Sequence, residues 1–317
     1  MNTPVKIAAF AAGLAAVFSI SFAAGNAAGP ISAPEAAAHG GGTHNDGAAG
    51  APPRSTPDDA DLPGGLMVSQ SGHTLALAEA TTRAGRNVPV AFAIDGPDGG
   101  PVSGYTTTHD KKLHLIAVRR DLSGFQHVHP DLSLDGATWS TSLDLTPGEW
   151  RVFADFTAEG SDALTLGADL SVAGRYQPTS LEPSRTAQVD GYTVTLAGEL
   201  RPGGDSRLTL SVSQDGEPVT DLEPYLSAYG HLVALRDGDL AYLHVHPDGT
   251  PGDGTTEPGP DVVFYASVPS PGRYGLFLNF QHDGVVRTAE FMVGTRGQAQ
   301  STAGADEPGH SSDHSDQ

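Results

Sequence analysis

The chain has 317 residues, room for two ordinary domains plus tails, and its 38 acidic against 17 basic residues give a formal charge of −21. A surface this negative repels phosphate backbones, which excludes nucleic acid as a partner and disfavours anionic lipid. The absence of cysteine excludes lipidation, disulfides, iron–sulfur clusters, thiolate zinc sites and the cysteine-ligated blue copper centre.

Lys6 precedes an apolar run from Ile7 to Ala24, followed by small residues up to Pro30. This pattern exports the chain. It reads equally as a cleaved signal peptide over residues 1–28 or as a single N-terminal membrane anchor, because the run is near the lower length limit of a spanning helix. Residues 29–63 are rich in Ala, Gly, Pro and Asp, cannot bury a core, and are expected to be disordered. The acidic, His-containing tail at 295–317 reads the same way. His39, His44, His310 and His314 in these tails read as solvated chain, with weak metal capture as the functional alternative.

Between the tails lie strands. Trp150, Val152, Ala154 and Phe156 alternate on one face of GEWRVFADF; Leu208, Leu210 and Val212 do so in RLTLSVSQ; Tyr274, Leu276, Leu278 and Phe280 in GRYGLFLNF. Period-two patterning marks half-buried strands, and the many Gly and Pro residues fall between them, where turns need them. No amphipathic helix is evident. Many short strands at regular spacing indicate sandwiches or barrels.

The two halves are repeats. HLIAVRRDLSGFQHVHP from His114 aligns without a gap with HLVALRDGDLAYLHVHP from His231, and PGEWRVFADFTAEG from Pro147 aligns with PGRYGLFLNFQHDG from Pro271. Two motifs in one order indicate duplication. The expected architecture is therefore all-β: two tandem immunoglobulin-like β-sandwich domains at 64–174 and 187–294, joined by a linker at 175–186, with disordered N- and C-terminal tails.

Each repeat carries His-x(12)-His-Val-His-Pro: His114, His127 and His129 in the first, His231, His244 and His246 in the second. The segment reads as a β-hairpin, with Asp237-Gly238 as a turn signal. Residues two apart on a strand share a face, and an unbulged hairpin puts the first histidine on that same face. Three imidazoles so placed can converge on one ion at about 2.0–2.1 Å per bond. Nitrogen ligands favour Cu(II), Zn(II) or Ni(II) over Mg or Ca. His109 or Asp110, and His282 or Asp283, are candidate fourth ligands, with water as the alternative. The competing reading is that the imidazoles hydrogen-bond within the sheet and His-Pro shapes the corner.

At these motifs the chain resembles a group of bacterial exported proteins, loosely related to YtkA-like and FixH-like immunoglobulin-fold domains, over most of residues 62–294. HLIAVRRDLSGFQHVHP, DGATWS and PGEWRVFADF carry the resemblance. It implies an extracytoplasmic location, secreted or membrane-anchored, and an association with heavy-metal or copper handling. Repeat two departs from the pattern at RDGDLAY and in the insertion-like DGTPGDGTTEPGPD. No catalytic carboxylate or nucleophile is identifiable, so the sequence reads as a non-enzyme: a module binding copper or zinc, or a structural or protein-interaction sandwich protein of the cell envelope with no metal.

Overall fold

A computed structural model describes residues 62–296; the N-terminal apolar run and most of both tails lie outside the described residues. The tail boundaries at Pro63 and Thr295 fall within the ordered chain. Leu62 and Pro63 lead into Gly64, which bridges to Tyr242, while Thr295 is buried and donates its N–H to Gly272 O at 2.9 Å. No helix among the described residues is long and apolar enough to cross a membrane.

Repeat one contains β1 (Ser69–Gln70), β2 (His73–Leu77), β3 (Thr81–Arg83), β4 (Gly85–Asp95), β5 (Tyr105–Thr106), β6 (Leu113–Arg119), β7 (Gln126–Val128), β8 (Asp131–Leu132), β9 (Trp139–Leu145), β10 (Gly148–Ala158) and β11 (Ala163–Ala173). Repeat two contains β12 (Thr186–Val189), β13 (Tyr192–Ala197), β14 (Gly204–Gln214), β15 (Glu217–Pro218), β16 (His231–Arg236), β17 (Val245–Pro247), β18 (Asp261–Val268), β19 (Arg273–His282) and β20 (Val285–Gly294). In repeat one the sheet β1-β2-β4-β9-β8 faces β3-β11-β10-β6-β7; in repeat two β12-β13-β14-β18-β17 faces β16-β19-β20. The architecture is two tandem immunoglobulin-like β-sandwiches, each with its own core. Leu115, Trp150, Val152 and Phe92 fill the first, and Leu210, Phe264, Leu276 and Phe280 fill the second.

A third apolar cluster joins the repeats. It consists of Ile116, Val118, Leu122, Phe125 and Phe153 from repeat one with Val233, Leu235, Leu240, Phe277 and Met292 from repeat two. Alternation explains it: on β6, Leu115 and Ala117 face their own core, so Ile116 and Val118 face outward. The strand is therefore buried along its whole length rather than half-buried. On β10 and β19 likewise, Phe153 and Phe277 point away from their own sandwich cores. Phe125 stacks on Phe277 with ring centres 4.2 Å apart and planes within 5°. Leu122 and Leu240, in the two hairpin turns, adopt positive φ (65° and 61°) and are fully buried in this seam. Burial of each leucine, worth about 1.5–3 kcal/mol, offsets a left-handed conformation costing about 1–2.

The seam pairs equivalent positions. His114 stacks on its counterpart His231, with planes within 12° and ring centres 5.7 Å apart. Ser227 Oγ donates to its counterpart Asp110 Oδ2 at 3.0 Å. Two like surfaces meeting through the same residues make an isologous contact of the kind seen between subunits of a symmetric dimer.

The linker is tied down. Asp121 Oδ2 accepts from Thr179 N–H at 2.8 Å and from Tyr176 Oη at 3.2 Å, while Arg119 grips both carboxylate oxygens at 3.0 and 2.8 Å. The guanidinium and these hydrogen bonds outweigh burial and hold the Asp121 carboxyl well below its usual pKa.

Candidate metal centre

In repeat one the hairpin pairs Leu115 with Val128 and Ile116 with His127. Extending that register by one residue sets His114 across from His129, so all three histidines share the outward face of the sheet, beside Ile116 in the seam. Their ring centres lie 5.3, 5.0 and 5.0 Å apart. His114 Nδ1 is 3.1 Å from His127 Nε2 and 3.2 Å from His129 Nε2. Nitrogens on one tetrahedral ion at about 2.0–2.1 Å stand about 3.3 Å apart. Among the described residues, this trio is the group of His, Asp or Glu side chains with one ligand atom each within 4.8 Å of the others.

Repeat two does not assemble the same trio. Its hairpin starts in the equivalent register, with Leu235 bridged to Tyr242 and Leu243 N–H donating to Ala234 O at 2.9 Å. The chain then leaves β16: Val245 pairs with Ala266 and His246 with Tyr265, on the opposite sheet. In repeat one this crossing comes at β8, which starts at Asp131, the counterpart of Asp248; in repeat two, β17 starts three positions earlier. The backbone groups here are already claimed, Tyr242 N–H by Gly64 O at 2.9 Å and His244 O by Ser267 N–H at 3.0 Å. Satisfying them there forfeits the ladder with β16. His244 and His246 are consequently exposed, with His246 stacked on Tyr265, while His231 stays in the seam. The sequence expectation of a second, separate trio of His231, His244 and His246 is not met in this geometry.

His231 instead faces the first trio, 4.6 Å from His127 and 5.7 Å from His114 between ring centres. Its Nδ1 is buried without a hydrogen-bond partner. Of the suggested fourth ligands, His109 stands at the rim, 6.2 Å from His114 and 6.3 Å from His231. Asp110 accepts from Ser227. His282 is remote from the cluster, between Tyr192 Oη at 2.7 Å and Asp221 Oδ1 at 3.0 Å, with Asp283 beside it.

Two groups that sequence reading passed over flank the histidines. Asp155 on β10 lies across the ladder from His114, and its counterpart Asn279 on β19 lies across from His231. Their signal was present in the alignment of VFADF with LFLNF. Asp155 accepts from Thr165 Oγ1 at 3.3 Å, and burial pushes its carboxyl up to about 6. Asn279 Nδ2 donates to Thr288 Oγ1 at 2.8 Å, leaving its Oδ1 to accept from His127 Nδ1–H at 3.0 Å.

These outer contacts fix the tautomers. Thr108 O can only accept, so His114 Nε2, 3.1 Å away, carries the proton and Nδ1 is a bare lone pair in the neutral ring. With Asn279 so oriented, His127 carries its proton on Nδ1 and its Nε2 is bare. Two lone pairs therefore face each other at 3.1 Å, and in the metal-free cluster His129 Nε2–H donates to that of His114 at 3.2 Å. A shared proton does not fit well: burial first, then the neighbouring rings, push His127 down to about 3 and His129 to about 4. Burial likewise lowers His114 and lowers His231 strongly. Neutral imidazoles with converging lone pairs suit a divalent cation.

A cleft of about 440 Å³ opens onto the cluster, lined among others by His114, His231, Asp155, His109, Lys111 and His244.

The described strands match known proteins only distantly. No curated protein matches. Solved structures that match include an Escherichia coli adhesin, FdeC, at 16% identity over 72% of this chain and 65% of that chain, with a TM-score of 0.24. A Salmonella alpha-2-macroglobulin mutant matches at 15% identity over 73% of this chain and 15% of that one, TM-score 0.24. A protein from Corynebacterium diphtheriae matches at 13% over 76% and 60%, TM-score 0.21. The chain thus spans less than two thirds of each of these proteins, and superpositions this loose add nothing to the fold read from the strands. The sequence itself matches a family model, a domain of unknown function designated DUF8832, twice, over residues 68–173 and 187–297. The chain therefore belongs to the DUF8832 family, as a tandem of two copies.

Proposed function

We propose that the protein works outside the cytoplasm as a non-catalytic tandem β-sandwich module that binds a divalent metal ion, Cu(II) or Zn(II), at the histidine cluster of its seam. One observation carries this reading: His114 Nδ1 and His127 Nε2 are both left bare by their outer hydrogen bonds and face each other at 3.1 Å. Lone-pair repulsion at that distance is relieved by a cation between them. The N-terminal apolar run supports the location.

A second reading is a structural or protein-interaction sandwich protein of the envelope with no metal. The direct ties of His114 to Thr108 and of His127 to Asn279 favour it, since they let the cluster serve as a polar pin within an apolar seam. Titration of the purified chain with Cu(II) and Zn(II), beside a His127→Ala/His129→Ala variant, separates the two. Uptake by the parent chain that disappears in the variant supports the metal site. A blank titration of the parent chain leaves the scaffold.

A further inference from the structure

The isologous seam sets the two would-be sites against each other at His114 and His231, and the early strand crossing in repeat two removes His244 and His246 from the second. What remains is one cluster with ligands from both repeats. We propose that the chain holds a single ion shared by its two halves, with His231 supplying the fourth nitrogen beside His114, His127 and His129, so that the ion clamps repeat two onto repeat one. This rests on the metal reading above.

Four features carry it. Imidazole ring centres around one tetrahedral ion are about 5.2 Å apart for the usual bond lengths. The trio already shows 5.3, 5.0 and 5.0 Å, and His231 brackets the value at 4.6 and 5.7 Å from two of its members. His231 Nδ1 is buried and unpartnered, an arrangement that destabilises the fold unless something is bound there. Repeat two already contributes to the site through Asn279, the ladder partner of His231 and the acceptor for His127. The cleft lined by both His114 and His231 supplies an entry path.

The test is a Cu(II) titration of the full chain with electron paramagnetic resonance, repeated on His231→Ala, His231→Gln and His244→Ala/His246→Ala. The expected result is one equivalent per chain with a four-nitrogen signature. Both His231 variants should then fall to three nitrogens and lose at least about tenfold in affinity, and the double variant should match the parent. Two replacements at His231, one of them polar, guard against a folding defect in either. Parent-like affinity and nitrogen count in both His231 variants would overturn the shared site while leaving the trio intact. A second equivalent that vanishes in the His244/His246 variant would overturn the single-ion stoichiometry. No uptake by the parent chain would remove the metal reading itself, and this inference with it.

Discussion

His127 Nδ1 donates to Asn279 Oδ1 at 3.0 Å across 152 positions of sequence. The tautomer of an imidazole in repeat one is thus fixed by an amide in repeat two. The site is a property of the pair of domains, because neither sandwich alone holds both the ring and the group that orients it.

Removing that amide should loosen the site without removing a ligand. Asn279→Leu is expected to cost about 10–100-fold in Zn(II) or Cu(II) affinity. Asn279→Asp, which keeps an acceptor as Asp155 does in repeat one, should retain binding. Competition against a chromogenic chelator measures both; equal loss in the two variants would argue against orientation as the cause.

Acid should weaken the metal-free fold. His127 and His129 titrate at about 3 and about 4 in the folded chain but near 6.5 once unfolded. Between those values the unfolded chain binds more protons, so stability rises with pH. Their contribution is full above about pH 6.5 and is lost as pH falls from there toward 3. Asp155 acts oppositely: raised to about 6, it favours the fold below its unfolded value of 3.8 and loses that contribution as pH rises through 6. The two histidine shifts together exceed this one. Urea midpoints at pH 7, 5.5 and 4.5 should therefore decrease in that order, and a flat profile would count against buried neutral imidazoles.

Phe277 is fully buried and stacks on Phe125 across the seam. Phe277→Ala should cost about 3–5 kcal/mol, the usual range for emptying a packed aromatic site. Equilibrium urea unfolding measures it. A loss below about 1 kcal/mol would mean that the repeats are not held by this contact.

Exposure predicts the opposite for the second His-Val-His. Replacing His244 and His246 with alanine should change stability by no more than about 0.5 kcal/mol and leave metal stoichiometry untouched, because both rings are exposed and lie off β16. Thermal melts and the titration described above check the two halves of that statement.

Much of this was legible in the residues themselves. Period-two alternation marked β10, β14 and β19, and the two gapless alignments marked the duplication. His114, His127 and His129 could be placed on one face because strand pleat is a local property with a fixed period. The pattern also held an unread clue. Phe153 and Phe277 interrupt what should be a polar outer face, and β6 is apolar on both sides, as strands buried twice must be.

The sequence by itself determined the strands, the repeat and the converging trio of repeat one, since each follows from neighbours along the chain or across a single hairpin. Only the tertiary structure decided that the outer faces of the two sandwiches would meet, bringing His231 and Asn279 to His127 and His114. It alone decided, too, that β17 would pair with β18 rather than β16. Both outcomes depend on competition between distant partners for the same backbone groups and the same apolar surface. Identical motifs, His-Val-His-Pro in both halves, were resolved into one half-buried pair within a cluster and one exposed pair by what each strand found beside it.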